Sequence, residues 1–142
     1  MNFIVVAYQS EEYYRMVDLR DTILRKPLGL TLDLTSLGNE AESIHVAGFE
    51  GNTLLCCLLL TPLDTTVIQM RQVAVDTALQ SKGIGKKLVQ FSENIARELS
   101  FKEIILHARK NVVGFYEKLG YSTYGEEYVE VTIPHINMKK TL

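Results

Sequence analysis

Residues 80–87 read Gln-Ser-Lys-Gly-Ile-Gly-Lys-Lys and follow the apolar run Val73-Ala74-Val75 and then Asp76. A strand that leads through a short glycine loop into a helix is suited to gripping an anion. Gly83 and Gly85 let the backbone approach a bulky ligand, and the first-turn amides of a helix have no internal acceptors. The helix dipole and the ammonium groups of Lys82, Lys86 and Lys87 add positive charge at the same place. A phosphate or pyrophosphate is therefore the expected guest. Two nucleotide loops fail on single residues. A Walker A loop needs Gly at 80 and Ser or Thr at 87, where Gln80 and Lys87 stand. A dinucleotide fingerprint begun at Gly83 needs Gly at 88, which is Leu88.

A second group stands further on: Asn111, then Phe115-Tyr116-Glu117-Lys118-Leu119-Gly120-Tyr121. Gln80, Gly83 and Gly85 fit a loop written as Gln or Arg, two residues, Gly, one residue, then Gly or Ala. With both signatures at this separation, the chain resembles the GNAT superfamily of acyl-CoA-dependent N-acetyltransferases over about residues 67–140. That resemblance implies an α/β (α+β) fold with a mixed, mostly antiparallel central sheet flanked by helices on both faces. It implies acetyl-CoA as acyl donor, with no metal. The pyrophosphate would be held by Gln80, Ser81, Lys82, Gly83, Ile84, Gly85 and Lys86, and the pantetheine arm would lie along Val73, Ala74 and Val75. Asn111 reads as a helix N-cap on its own terms, and by resemblance it also contacts that arm, beside Phe115.

Acyl transfer to an amine makes three demands. The amine must be neutral, which for a lysine-like group of pKa about 10.4 costs about 4–5 kcal/mol at pH 7. The thioester oxygen needs a donor as charge develops on it, and the resemblance assigns that donor to the amide of Val73 or a near neighbour. The departing sulfur needs stabilisation or a proton. The resemblance gives this last task to Tyr116, whose phenol, a weaker acid than a thiol, would hydrogen-bond the thiolate or relay a proton. On spacing alone, Tyr116 is an aromatic at the rim of a helix's apolar face. Glu130 and His135 are the two candidate bases, acting directly or through water. An exposed strand carboxylate and a loop-packing histidine are their plainer readings. Arg71 could bind an anionic acceptor or lie on the surface. His45 and His107 are expected in packing or surface roles.

Elements must hold these groups. Residues 2–8 read as a strand, 12–25 as a helix after Ser10, and 28–43 as a long connection. Two strand-like runs, 43–49 and 53–61, are joined by Glu50-Gly51-Asn52, a hairpin signal. Residues 67–76 form another strand. Ile84, Leu88, Phe91, Ile95 and Leu99 recur at steps of four, three, four and four, giving the clearest helix, 84–99. A strand at 103–108, a short helix at 112–119 closed by Gly120, and strands at 121–131 and 136–140 interrupted at Pro134 complete the order. The acceptor pocket is expected from the first helix, residues 28–43 and residues 127–135.

The totals agree with one domain, which the resemblance makes a single acetyltransferase domain over residues 1–142. With 15 basic and 17 acidic residues the net charge is −2, which supports neither a nucleic-acid nor a membrane-surface partner. Apolar runs stop well short of the ~20 residues that span a bilayer. Cys56 and Cys57, adjacent in a strand, make neither a disulfide framework nor a metal site. A first strand rather than a leader, and a cytoplasmic setting, are the expectations. The expected partner is an amine acceptor, small molecule or peptide, and the C-terminal strands could support a homodimer. A non-catalytic acyl-CoA-binding sensor or interaction module on the same fold is the alternative reading.

Overall fold

The structure, a computed structural model, describes residues 1–29, 40–80 and 82–142. The chain opens with β1 (Asn2–Val6) and α1 (Glu11–Arg20). Ser10 starts that helix, its side-chain oxygen accepting the Tyr13 amide at 3.1 Å. The helical path runs on to Arg25 as expected, but its pitch changes. Asp21–Arg25 form a π-helical turn and Lys26–Leu28 a 3-10 turn, ended by Gly29 at φ 71°. A π turn is wider than an α turn and re-aims the side chains that follow. Here Ile23, Leu24 and Arg25 reach the cavity described below. Most of the expected 28–43 connection lies outside the described residues.

The hairpin is formed by β2 (Ile44–Glu50) and β3 (Thr53–Pro62). Then follow β4 (Val67–Val75), α2 (Ile84–Glu98), β5 (Glu103–Arg109), α3 (Val113–Lys118), β6 (Ser122–Glu130) and β7 (Ile133–Thr141). Seven strands make one sheet in the order β1-β2-β3-β4-β5-β7-β6. All neighbours are antiparallel except β4 and β5, which α2 joins as a crossover helix.

Each face of the sheet carries its own core. Cys56, Leu58, Leu60, Ile68, Met70, Ile104 and Leu106 pack with Leu88, Val89 and Ala96 of α2 and Tyr116 of α3. Ala47, Cys57 and Ala74 pack with Tyr13, Met16 and Val17 of α1. Helices therefore cover both faces of the sheet. Cys56 and Cys57 fall into opposite cores, as neighbours on a strand must. Burial pushes their thiols up to about 11 and about 12, so neither offers a thiolate near neutral pH.

Two local expectations are corrected. Pro134 does not break the closing strands. The β6–β7 turn lies at Val131 and Thr132, both at positive φ, and Pro134 sits inside β7 opposite Val129. Proline is tolerated there because the β5 ladder begins one residue later, at His135 opposite Arg109. Asn111 does not cap a helix either. It lies in a 3-10 turn, Lys110–Val112, and α3 starts at Val113 with Val112 in the cap position and no side-chain cap.

Candidate functional site

The site begins with an irregularity in β4. Leu59 pairs with Arg71 and Cys57 with Ala74, so Gln72 and Val73 together oppose the single residue Leu58. This is a β-bulge, with Gln72 at φ 55°. A bulge bends its strand and increases the twist, and here the parallel ladder to β5 stops just before it. Pairing runs only from Val67–Glu103 to Met70–Leu106. Beyond that point β5 turns to β7 alone, and the two strands splay.

The splay leaves main-chain groups of β4 facing open space. The Asp76 amide bonds to Leu55 O of β3 at 2.9 Å, so the peptide groups of Val75, one residue back, point the other way. The Val75 carbonyl accepts the Gln80 side-chain amide at 3.1 Å, which folds Gln80 onto the strand end. By the two-residue repeat, the N–H and C=O of Val73 share that open direction. Asp76 organises the following turn, its carboxylate accepting the Ala78 amide at 2.9 Å.

At the foot of the splay lies the start of α2. Gly83 takes φ 80°, a left-handed conformation that side-chain-bearing residues adopt at a cost of about 1–2 kcal/mol. Space is not the constraint there, since a Cβ on Gly83 would meet nothing within 4 Å. Gly85 is constrained by contact. A Cβ there would stand 3.3 Å from the Phe115 ring and 3.7 Å from Val75. The amides of Ile84, Gly85 and Lys86 are first-turn groups with no intrahelical acceptor, aimed along the positive end of the helix dipole. Gly83→Ala should therefore lower stability by about 1–2 kcal/mol. A fall in melting temperature of several degrees is the expected readout, and an unchanged value would show that the loop can relax out of its left-handed turn.

These pieces line one cavity of about 850 Å³. Val73, Val75, Gln80, Gly83, Gly85, Lys86, Asn111 and Phe115, all expected to hold the acyl carrier, are on its wall. Ala74, Lys82 and Ile84 are not. Ala74 and Ile84 turn into the cores, and Lys82 is exposed on the loop. Ser81 lies outside the described residues.

Tyr116, Glu130 and His135 reach the same cavity. Tyr116 is only 6% exposed, and burial alone pushes its phenol well above the ordinary value. It packs edge-on to Phe115 and Tyr121, and its hydroxyl has no hydrogen-bond partner among the described residues. Being this weak an acid, it stays a neutral donor throughout the physiological range. His135 is 7% exposed, and its Nδ1 lies 2.7 Å from Ile133 O. A carbonyl only accepts, so in the neutral ring the proton sits on Nδ1 and Nε2 keeps its lone pair. Glu130 is more exposed and stands 3.4 Å from His107 Nδ1.

His107 was expected in a packing or surface role, yet it joins the site. So do Arg25 and Arg109, which sequence reading passed over. A signal for two of them was present: His107 and Arg109 alternate with the apolar Leu106 and Ala108, giving β5 a polar face at its C-terminal end. No group of His, Cys, Asp and Glu able to hold a metal ion occurs among the described residues.

Comparison with known proteins gives these features a family. A family model described as an acetyltransferase (GNAT) domain matches residues 58–142, more than half of the chain. A Bacillus subtilis (strain 168) protein with a provisional acetyltransferase name is 35% identical over 72 residues, 51% of this chain and 49% of that protein. The chain spans about half the length of the curated relatives it matches first. Among solved structures, a provisionally named N-acetyltransferase from Lactobacillus plantarum has a TM-score of 0.88 at 19% identity, covering 100% of this chain and 99% of that one. An aminoglycoside 6'-N-acetyltransferase complexed with coenzyme A has a TM-score of 0.81 at 19% identity, covering 99% and 97%. At such identities these likenesses speak for the fold: a mixed, mostly antiparallel sheet with helices on both faces. On the family match, carried by the residues that also form the splay and the glycine loop, the chain belongs to the GNAT acetyltransferase family.

Proposed function

We propose that this protein is an N-acetyltransferase that moves the acetyl group of acetyl-CoA directly to a primary amine. One observation carries the reading: the splay between β4 and β5 opens main-chain donors and acceptors beside the free first-turn amides of α2. An extended amide-bearing arm fits the open edge of β4, where Val73 offers both N–H and C=O. A diphosphate fits the amides around Gly83 and Gly85, with Lys86 close by. Acetyl-CoA has both parts, and supplies a thioester at the end of the arm.

Each side chain then has a task. The Val73 amide donates to the thioester oxygen as charge grows there. His135, with Nε2 as its acceptor, takes the proton of the incoming ammonium, and Glu130 can do so through water. The amine nitrogen forms its bond to the acyl carbon as the carbon–sulfur bond breaks; the electron pair leaves on sulfur, and the proton that the nitrogen sheds on becoming an amide ends on that sulfur as the free thiol. Tyr116 donates its hydrogen bond to that sulfur. The aminoglycoside enzyme's complex with coenzyme A supports the choice of carrier, as does the provisional name of the Bacillus subtilis relative.

The test has two arms. Acetyl-CoA should raise the melting temperature, by an amount that grows with the logarithm of its concentration over Kd, because it binds the folded state. Free thiol should then appear only when acetyl-CoA and a suitable amine are present together. His135→Gln should lower kcat about a hundredfold or more at neutral pH and recover partly at high pH, where the amine is already neutral. Binding without thiol release across a broad amine panel would favour a non-catalytic acyl-CoA-binding module. Absence of binding would overturn the proposal outright.

A further inference from the structure

We propose that the acceptor amine also carries an anionic group, a carboxylate or a phosphate, held by Arg25, Arg71 and Arg109. This rests on the acetyl-transfer reading and specifies its acceptor. All three arginines line the cavity and are partly buried. Among the described residues their hydrogen bonds go to neutral groups: Arg25 to the Gln72 side-chain oxygen at 3.5 Å, and Arg109 to Leu24 O at 3.2 Å. None has a carboxylate within ion-pairing distance among the described residues. Asp21 and Glu40 act on Arg25 through space, but each is committed elsewhere, to Lys26 at 3.8 Å and to Arg20 at 2.6 Å. Glu130, the one carboxylate among the described residues of the cavity wall, stands against His107.

Asp21 and Glu40 offset charge at Arg25, but no ion pair of Arg71 or Arg109 occurs among the described residues. Each guanidinium keeps spare N–H donors in a planar fork that matches a carboxylate or a phosphate. An anion there would accept those donors.

The diphosphate of the acyl carrier is not that anion. Met70 and Leu106 point into the α2-side core, so Arg71 and Arg109, one and three residues on, face α1. The Arg109 bond to Leu24, in the turn after α1, agrees with that side. The glycine loop and α2 lie across the sheet. His135, paired with Arg109 in the ladder and two places from Asn137, falls on the α1 side with the arginines. The anionic group would thus be held beside the proposed base. The same positive field disfavours an acceptor with several ammonium groups, in contrast to an aminoglycoside.

Matched acceptor pairs test this with the full chain and saturating acetyl-CoA: methionine against methioninamide, and glucosamine 6-phosphate against glucosamine. In at least one pair the anionic member should show about tenfold or higher kcat/KM, and the pair tells carboxylate from phosphate. Arg71→Gln and Arg109→Gln should erase that advantage and leave the acetyl-CoA Kd within twofold. If no pair turns over, calorimetric titration of succinate and of inorganic phosphate into the CoA-saturated protein decides, with binding by wild type and about tenfold weaker binding by either variant expected. Equal or better use of the neutral members, no anion binding to the CoA complex, or loss of acetyl-CoA affinity in the arginine variants would each overturn the inference. Failure of acetyl-CoA to bind at all would instead strike the acetyl-transfer reading.

Discussion

Replacing Tyr116 by phenylalanine is expected to lower kcat about a hundredfold while changing the stability of the protein by less than about 1 kcal/mol. The two effects separate because of where the hydroxyl sits. Its ring is part of the α2-side core, in edge-on contact with Phe115 and Tyr121, and phenylalanine keeps those contacts. The hydroxyl has no partner among the described residues, so its removal orphans nothing there. A hydrogen bond to a departing thiolate is charge-assisted, worth about 1.5–3 kcal/mol, or roughly 10- to 150-fold in rate. Burial raises the Tyr116 pKa, so the neutral donor is the form present at every working pH. The wild-type rate should consequently show no loss from phenol ionisation up to pH 10. Single-turnover acetyl transfer across pH 6–10, for wild type and variant, is the measurement. Equal rates would reduce Tyr116 to a packing residue.

The second large effect lies away from the cavity, where a buried ion pair ties α1 to the turn that precedes β2. Arg20, 1% exposed, donates to both Glu40 oxygens, Nη1 to Oε1 at 2.9 Å and Nη2 to Oε2 at 2.6 Å. The Tyr13 hydroxyl donates to Oε1 at 2.8 Å, and the Glu40 main-chain oxygen lies 3.0 Å from His45 Nε2. Glu40→Gln leaves a buried guanidinium without its counter-charge, which should cost about 3–5 kcal/mol. For a domain of this size that is a large share of the total stability.

The pH dependence has a definite sign. Burial works against the Glu40 carboxylate, but hydrogen bonds and charge from Arg20, with help from Tyr13, outweigh it and hold its pKa below the usual range. Its contribution is complete above about pH 4.3, the ordinary glutamate value, and is lost as pH falls through the depressed folded pKa. His45 adds an earlier step. Burial lowers its pKa against the opposing hydrogen bond, and Nδ1 is buried without a partner among the described residues. The unfolded imidazole therefore takes up its proton first, and stability begins to fall below about pH 6.5. Denaturant unfolding from pH 3 to 8 should show both steps in wild type. Glu40→Gln should keep the first and lose the second, and a variant curve parallel to wild type at low pH would refute the assignment.

Much of this was readable before any contact was known. The four-three-four-four spacing of Ile84, Leu88, Phe91, Ile95 and Leu99 foretold α2, and the described helix ends within one residue of it. Glu50-Gly51-Asn52 foretold the hairpin. The loop from Gln80 to Lys87 announced an anion site because each part of that argument is local: glycine conformations, first-turn amides, a dipole. Where local rules failed, a neighbour had decided. Pro134 looked like a strand breaker, but β5 makes no demand on its missing N–H. Asn111 looked like a cap, but a 3-10 turn shifted the helix start past it.

Most of the helices and strands, their apolar faces and a glycine loop at a helix start follow from the order of residues alone. These follow from periodicities of 3.6 and 2 residues and from backbone sterics, which act over a few positions. The bulge of β4 at Gln72, its parting from β5, and the placing of Arg25, Arg71, Arg109 and His135 on one cavity wall come from long-range pairing. Register and pairing join residues tens of positions apart, and no short-range preference can encode which distant strand stops pairing, or where.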